Sequence, residues 1–165
     1  MDHTTNTTAN STAETVANAA TGKGNAATST LTQAVALELI DTTGSVTPLE
    51  AELSYDVRDP YAVTALFMTG SSRVRWTFGR DLLSGGLFEP TGDGDVHVWP
   101  CLDAEGHAVV IIELCSPDGE ALVQARTGEL STFVDRMNQA VAPGTESAHL
   151  DVDAALAAIF TADAF

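Results

Sequence analysis

The residues best equipped for chemistry in this 165-residue chain are Asp95, His97 and Cys101, a carboxylate, an imidazole and a thiol close together in sequence. They are the parts of an activated nucleophile, in which a base takes the proton of the attacking group. Their spacing argues against that assembly. On an extended strand Asp95 and His97 point to the same side, but Trp99-Pro100 intervenes before Cys101, which is expected in a turn, and no neighbouring phrase supplies an oxyanion donor. The loop Thr91-Gly92-Asp93-Gly94-Asp95 has the glycines of a phosphate cradle, yet its carboxylates repel phosphate and no Lys-Ser/Thr pair follows. Calcium suits Asp93 and Asp95 better, but the spacing and the missing glutamate do not match an EF-hand loop. These residues therefore read as turn and strand positions, with no catalytic residue, metal ligand or cofactor expected.

Charge narrows the partners further. The formal net charge is −16, and residues 1–30 contribute only Asp2, Glu14 and Lys23, leaving 21 carboxylates against six arginines from Leu31 onward. Such a field repels phosphate backbones and anionic headgroups, so no nucleic acid is expected and any membrane association is indirect. Arg73, Arg75 and Arg80 lie close in sequence, and on an alternating strand Arg73 and Arg75 share one face, either a seat for a partner's carboxylates or the solvated side of a sheet. The two cysteines, Cys101 and Cys115, have no pairing motif, and Cys115 reads as a small core residue. With no apolar stretch of membrane-span length and no basic start followed by a hydrophobic segment, a cytoplasmic location is expected.

Positioning falls to a β-rich body. Residues 1–30 are rich in Thr, Ala, Asn and Ser and too poor in large apolar side chains to recover the entropy of ordering, so a disordered tail is expected there and one domain over 31–165. From Leu31 the apolar period is two. Val35, Leu37 and Leu39, then Leu49, Ala51, Leu53 and Tyr55, then Val63, Ala65 and Phe67, then Val74, Trp76 and Phe78 mark four consecutive strands separated by Gly44, Asp59-Pro60 and Gly70. Gly79 to Gly85 suits one or two helical turns. Asp95 to Trp99, the apolar run His107 to Cys115, and Glu120 to Arg126 after Pro117-Asp118-Gly119 complete about seven mainly antiparallel strands. The period then changes: Leu130, Phe133, Val134, Met137 and Val141 write an amphipathic helix stopped by Pro143-Gly144, and Val152, Ala155, Leu156, Ile159 and Phe160 write a second, with Asp151 and Asp153 at its positive end. Both stripes need burial against the sheet or a neighbouring subunit.

Five phrases carry a resemblance: Tyr55-Asp56-x-x-Asp59-Pro60-Tyr61-Ala62-Val63, Trp76-x-Phe78-x-Arg80-Asp81-Leu82-Leu83, Gly92-x-Gly94-Asp95-Val96-x-Val98-Trp99-Pro100, Ser116-Pro117-x-Gly119-Glu120-Ala121-Leu122 and Pro143-Gly144-Thr145-Glu146. In this order they resemble the SsgA-like sporulation and cell-division proteins of filamentous, spore-forming actinobacteria, from about Leu31 to about Phe160. The departures are the N-terminal extension and Ala142, where a second proline is expected. The resemblance implies a non-enzymatic regulator of sporulation septation, located at the division septum, that helps position the tubulin-like division protein FtsZ and meets other septum-site proteins, including other SsgA-like proteins. It also implies an α+β, Whirly-like subunit with strands in two sheets and a C-terminal helix-loop-helix, assembled as a homotrimer. The alternative it leaves is single-stranded nucleic-acid binding through that architecture, which this body's acidity opposes.

Candidate partner-binding residues are Arg80, Asp81, Pro143, Gly144 and Glu146. A connector between two helices presents a rigid turn at the surface, so Pro143-Gly144 is either an interface or a plain helix stop. Arg80 and Asp81 also suit a structural role, holding the short helix.

Overall fold

The computed structural model describes residues 29–162. The tail expected to be disordered lies almost wholly outside the described residues. Strands β1 (Thr30–Ile40), β2 (Val46–Asp56), β3 (Ala62–Thr69) and β4 (Ser72–Gly79) form an antiparallel meander, followed by helix α1 (Arg80–Gly86). A second meander, β5 (Val96–Leu102), β6 (Ala108–Ser116) and β7 (Gly119–Arg126), leads into α2 (Thr127–Ala140), a 3₁₀ turn at Glu146–His149 and α3 (Val152–Ala162).

The expected two sheets are one. All seven strands are hydrogen-bonded in the order β4-β3-β2-β1-β7-β6-β5. The join is short: β1 pairs with β2 along its whole length, but with β7 only from Leu37 to Ile40. Beyond that stretch the strands part and α2 enters the fork. The Ala36 amide, without a β7 partner, donates to the Glu129 carboxylate at 3.1 Å, Gln33 Nε2 donates to the Glu129 carbonyl at 2.9 Å, and Arg136 Nη1 donates to the Thr32 carbonyl at 3.2 Å. A helix thus supplies the hydrogen bonds that the missing strand would have made.

One core fills the concave side of this curled sheet. Inward residues of every strand, among them Leu37, Leu53, Val63, Phe78, Val98, Val110 and Val123, meet Leu83 of α1 and Leu130, Phe133, Val134 and Met137 of α2. Alternation does the sorting, since period two sends one apolar set inward along each strand. The β6 run, expected in a central strand covered on both faces, is second from the sheet edge yet paired on both sides and buried on both faces: Val110 and Ile112 join this core, while Val109 and Ile111 are buried on the opposite side of the strand. The two strand prolines sit where one side of the strand has no partner to lose. Pro100 lies in β5, an edge strand, and Pro48 lies in β2 before its pairing with β3 begins at Glu50. Cys101, expected in a turn, is therefore a strand residue on an exposed edge.

Candidate functional site

The Asp95, His97 and Cys101 set does not assemble. His97 and Cys101 sit four positions apart on β5, about 13 Å along an extended strand. The His97 ring Nδ1 is engaged by the Glu113 carboxylate across the β5–β6 pair at 2.7 Å. Asp95 is exposed in the preceding loop, where its carbonyl accepts from the Cys115 amide at 2.8 Å. Cys115 is half-buried, and burial pushes its thiol pKa up, helped by the carboxylates of Glu113, Glu120 and Asp95. A raised pKa leaves the thiol protonated and a poor nucleophile. The Gly92 loop is a turn: at φ +111 a side chain there would meet the Val96 carbonyl oxygen at 2.2 Å, which excludes any residue but glycine.

What the fold does bring together is the second set of candidates. Arg80 follows β4 directly and is 1% exposed, buried rather than presented to solvent. Its Nη1 donates to the Tyr55 hydroxyl at 3.0 Å and lies 3.4 Å from the Glu146 carboxylate, and its Nη2 donates to Asn138 Oδ1 at 2.6 Å and to the Val141 carbonyl at 3.1 Å. The guanidinium carbon also stands 5.4 Å from the Tyr55 ring centroid. Only Nε lacks a partner. One fork of donors thereby ties β2, the C-terminal end of α2 and the 3₁₀ turn to the start of α1, and a cation at a helix C-terminus is favoured by the helix dipole. Burial raises the Tyr55 pKa, against the opposing pull of the Arg80 charge, so its hydroxyl stays protonated and donates to the Pro60 carbonyl at 3.0 Å.

Arg80 and Glu146 bracket the connector that carries Pro143 and Gly144. Val141 is buried, then Ala142, Pro143, Gly144 and Thr145 are exposed, then Glu146 is buried again at 7% exposure. The Thr145 amide and hydroxyl both donate to the Ala142 carbonyl, at 3.0 and 2.7 Å, with Gly144 at φ +83. Proline and a positive-φ glycine at the two central positions are what a type II turn requires. Nothing lies within 4 Å of where a Gly144 side chain would project, so the turn faces open space. Asp81 is exposed at the start of α1. Of the five candidates, Asp81, Pro143 and Gly144 are surface, while Arg80 and Glu146 are the anchor beneath.

The parts played in the anchor by Asn138 and by the Tyr55 hydroxyl escaped the spacing, which marks Tyr55 only as an inward residue of β2. So did the outcome for α3. Its Asp151 carboxylate caps the helix by accepting from the Ala154 amide at 2.9 Å, but Val152, Leu156, Ile159 and Phe160 are exposed, Phe160 to 75%. The stripe that needs burial has no cover among the described residues. No described helix is long and apolar enough to cross a membrane.

The profile of the family described as "Streptomyces sporulation and cell division protein, SsgA" matches residues 49–146. The chain belongs to the SsgA family. The matched span runs from the sheet through the Arg80 anchor and the Pro143-Gly144 turn to Glu146. The sporulation-specific cell division protein SsgB of Streptomyces coelicolor is 49% identical over 124 residues, covering 74% of this chain and 90% of that one. SsgB of Saccharopolyspora erythraea is 42% identical, covering 81% and 94%. Among solved structures, one concerned with mutations in SsgB that correlate to longitudinal cell division during sporulation of Streptomyces coelicolor superposes with a TM-score of 0.69 at 46% identity, covering 73% of this chain and 94% of that one. The SsgA-like sporulation-specific cell division protein of Thermobifida fusca gives 0.70 at 41%, covering 78% and 93%. The SsgA family is one of sporulation and cell division proteins and not a known enzyme family, and the chain has its role in sporulation cell division.

Proposed function

We propose that this SsgA-family chain is a non-enzymatic regulator of sporulation-specific division that promotes septum-site selection and recruits or positions FtsZ through protein–protein contacts at the division septum. The observation that carries this reading is the Pro143-Gly144 turn, raised into open space on a buried Arg80–Glu146 pair. A buried charge pair is a costly way to stop a helix, and a rigid exposed turn is an economical way to present a fixed contact. The turn, with Asp81, is the proposed contact surface, and Arg80 and Glu146 position it.

The subunit is proposed to act as a homotrimer of Whirly-like design. The uncovered stripe of α3 supports self-association, because an apolar helix face left in water favours a partner subunit. A fluorescent fusion of the full chain in sporulating filaments, with and without FtsZ, tests the reading. Regular ladders at incipient septa are expected, and diffuse fluorescence throughout sporulation would reject it.

A further inference from the structure

Strand β4 is the last in the sheet and pairs with β3 alone, so its other edge carries backbone donors and acceptors with no sheet partner. Alternation along it sends Val74, Trp76 and Phe78 to the concave side and Arg73, Arg75 and Thr77 to the convex side. The other described arginines are all committed: Arg58 to Asp56, Arg80 to Glu146, Arg126 to Asp103, and Arg136 to Thr32 and Gln33. Arg73 and Arg75 make no ion pair or side-chain hydrogen bond among the described residues, in a chain of formal net charge −16. Their cross-strand neighbours are Met68 and Leu66, and the carboxylates of that face, Glu50 and Glu52, lie one strand further away. On the concave side Val74 is 42% exposed and, with Trp76, lines an apolar cleft of about 180 Å³ that also includes Leu49, Phe67, Leu114 and Val123.

We propose that the free edge of β4 docks an extended acidic segment of another polypeptide. The segment adds as a further strand, sets carboxylates over Arg73 and Arg75, and directs its alternate apolar side chains to the cleft beside Val74 and Trp76. Main-chain hydrogen bonds supply affinity in this mode, and the alternating side chains supply specificity. A second copy of the chain fits poorly. Antiparallel pairing of two β4 strands about Val74 sets Arg73 of each against Arg75 of the other, four like charges on one face, an arrangement that blocks edge-to-edge association. The acidic body opposes a nucleic acid strand and an acidic peptide alike, but the nucleic acid has no peptide groups to add as a strand and, on the arginine side of β4, finds no aromatic ring for its bases to stack on. The proposal rests on the reading of the chain as a protein-contact regulator and adds the class of segment it recognises.

The test uses the purified full chain and labelled ten-residue peptides. One alternates glutamate with valine and leucine, the second has lysine for glutamate, and an oligothymidine of equal charge serves as the nucleic-acid probe. The glutamate peptide is expected to bind saturably, more weakly as salt rises, with backbone amide shifts confined to β3, β4 and the cleft. Arg73→Ser/Arg75→Ser, two exposed substitutions checked for unchanged melting, is expected to weaken it about tenfold, as two exposed charge pairs would. No saturable binding up to about 1 mM, equal binding of the lysine peptide, unchanged affinity in the double variant, or preferential binding of the oligothymidine through the same arginines would each overturn the proposal. Septal localisation of the wild-type chain is scored separately, and its failure counts against the division role and not against the docking edge.

Discussion

The guanidinium of Arg80 lies 3.4 Å from the carboxylate of Glu146, with both side chains nearly shut off from solvent, at 2% and 9% exposure. Removing one member of such a pair leaves the other charge buried without its counterion, which costs about 3–5 kcal/mol. Glu146→Ala and Arg80→Met are therefore expected to lower the urea midpoint severely. Glu146→Gln keeps an acceptor for the guanidinium and is expected to cost less than Glu146→Ala.

Gly86 packs where no side chain fits. A Cβ there would lie 2.2 Å from Val98 Cγ1 and 2.5 Å from Val98 Cβ. Gly86→Ala is expected to cost about 1–3 kcal/mol by overpacking the α1–β5 contact. Combined with Val98→Ala, its thermal destabilisation should fall short of the sum of the single changes, because the clash and the cavity share one space.

The side-chain hydrogen bond from Arg58 holds the Asp56 carboxyl well below the usual carboxylate range, with the Arg58 amide adding to it. A carboxyl whose folded pKa is depressed contributes stability fully above its unfolded value, about 3.9, and loses it as pH falls toward the folded value. Asp56→Asn is expected to be modestly less stable than the wild type at pH 7, as befits a largely exposed pair. The two midpoints should converge as pH drops below about 4, measured by urea titration across the range.

Because His97 is occupied by Glu113 and Cys101 lies far along the strand, neither is expected to perform chemistry. His97→Gln/Cys101→Ser, once shown to fold, should support septation at the wild-type level, counted as septa per length of sporulating filament.

Local spacing made most elements legible. Alternation and glycine punctuation reveal the strands, and the change of period after Arg126 reveals α2. The join of β1 to β7 is a pairing between distant segments that no local pattern encodes, so the single sheet was not legible. Pro100 reads as a strand end, and only its place on an edge lets β5 continue through Cys101. A signal for Arg80 was present: the inward set Val74, Trp76, Phe78 extends by two to Arg80, placing it on the core side, but arginine is ordinarily read as surface. The α3 stripe was legible as amphipathic, while its exposure among the described residues was not, because spacing marks an apolar face without saying what covers it.

The most direct test of the contact surface is cosedimentation of the purified chain with FtsZ filaments, comparing the wild type with Gly144→Asn. Asparagine tolerates the φ of +83 at this position and projects its side chain into open space, so the turn is kept while the contact face changes. Saturable binding by the wild type and at least about tenfold weaker binding by a fully folded Gly144→Asn are expected. No binding by the wild type, or equal binding by both, would contradict the role of the turn as the contact surface.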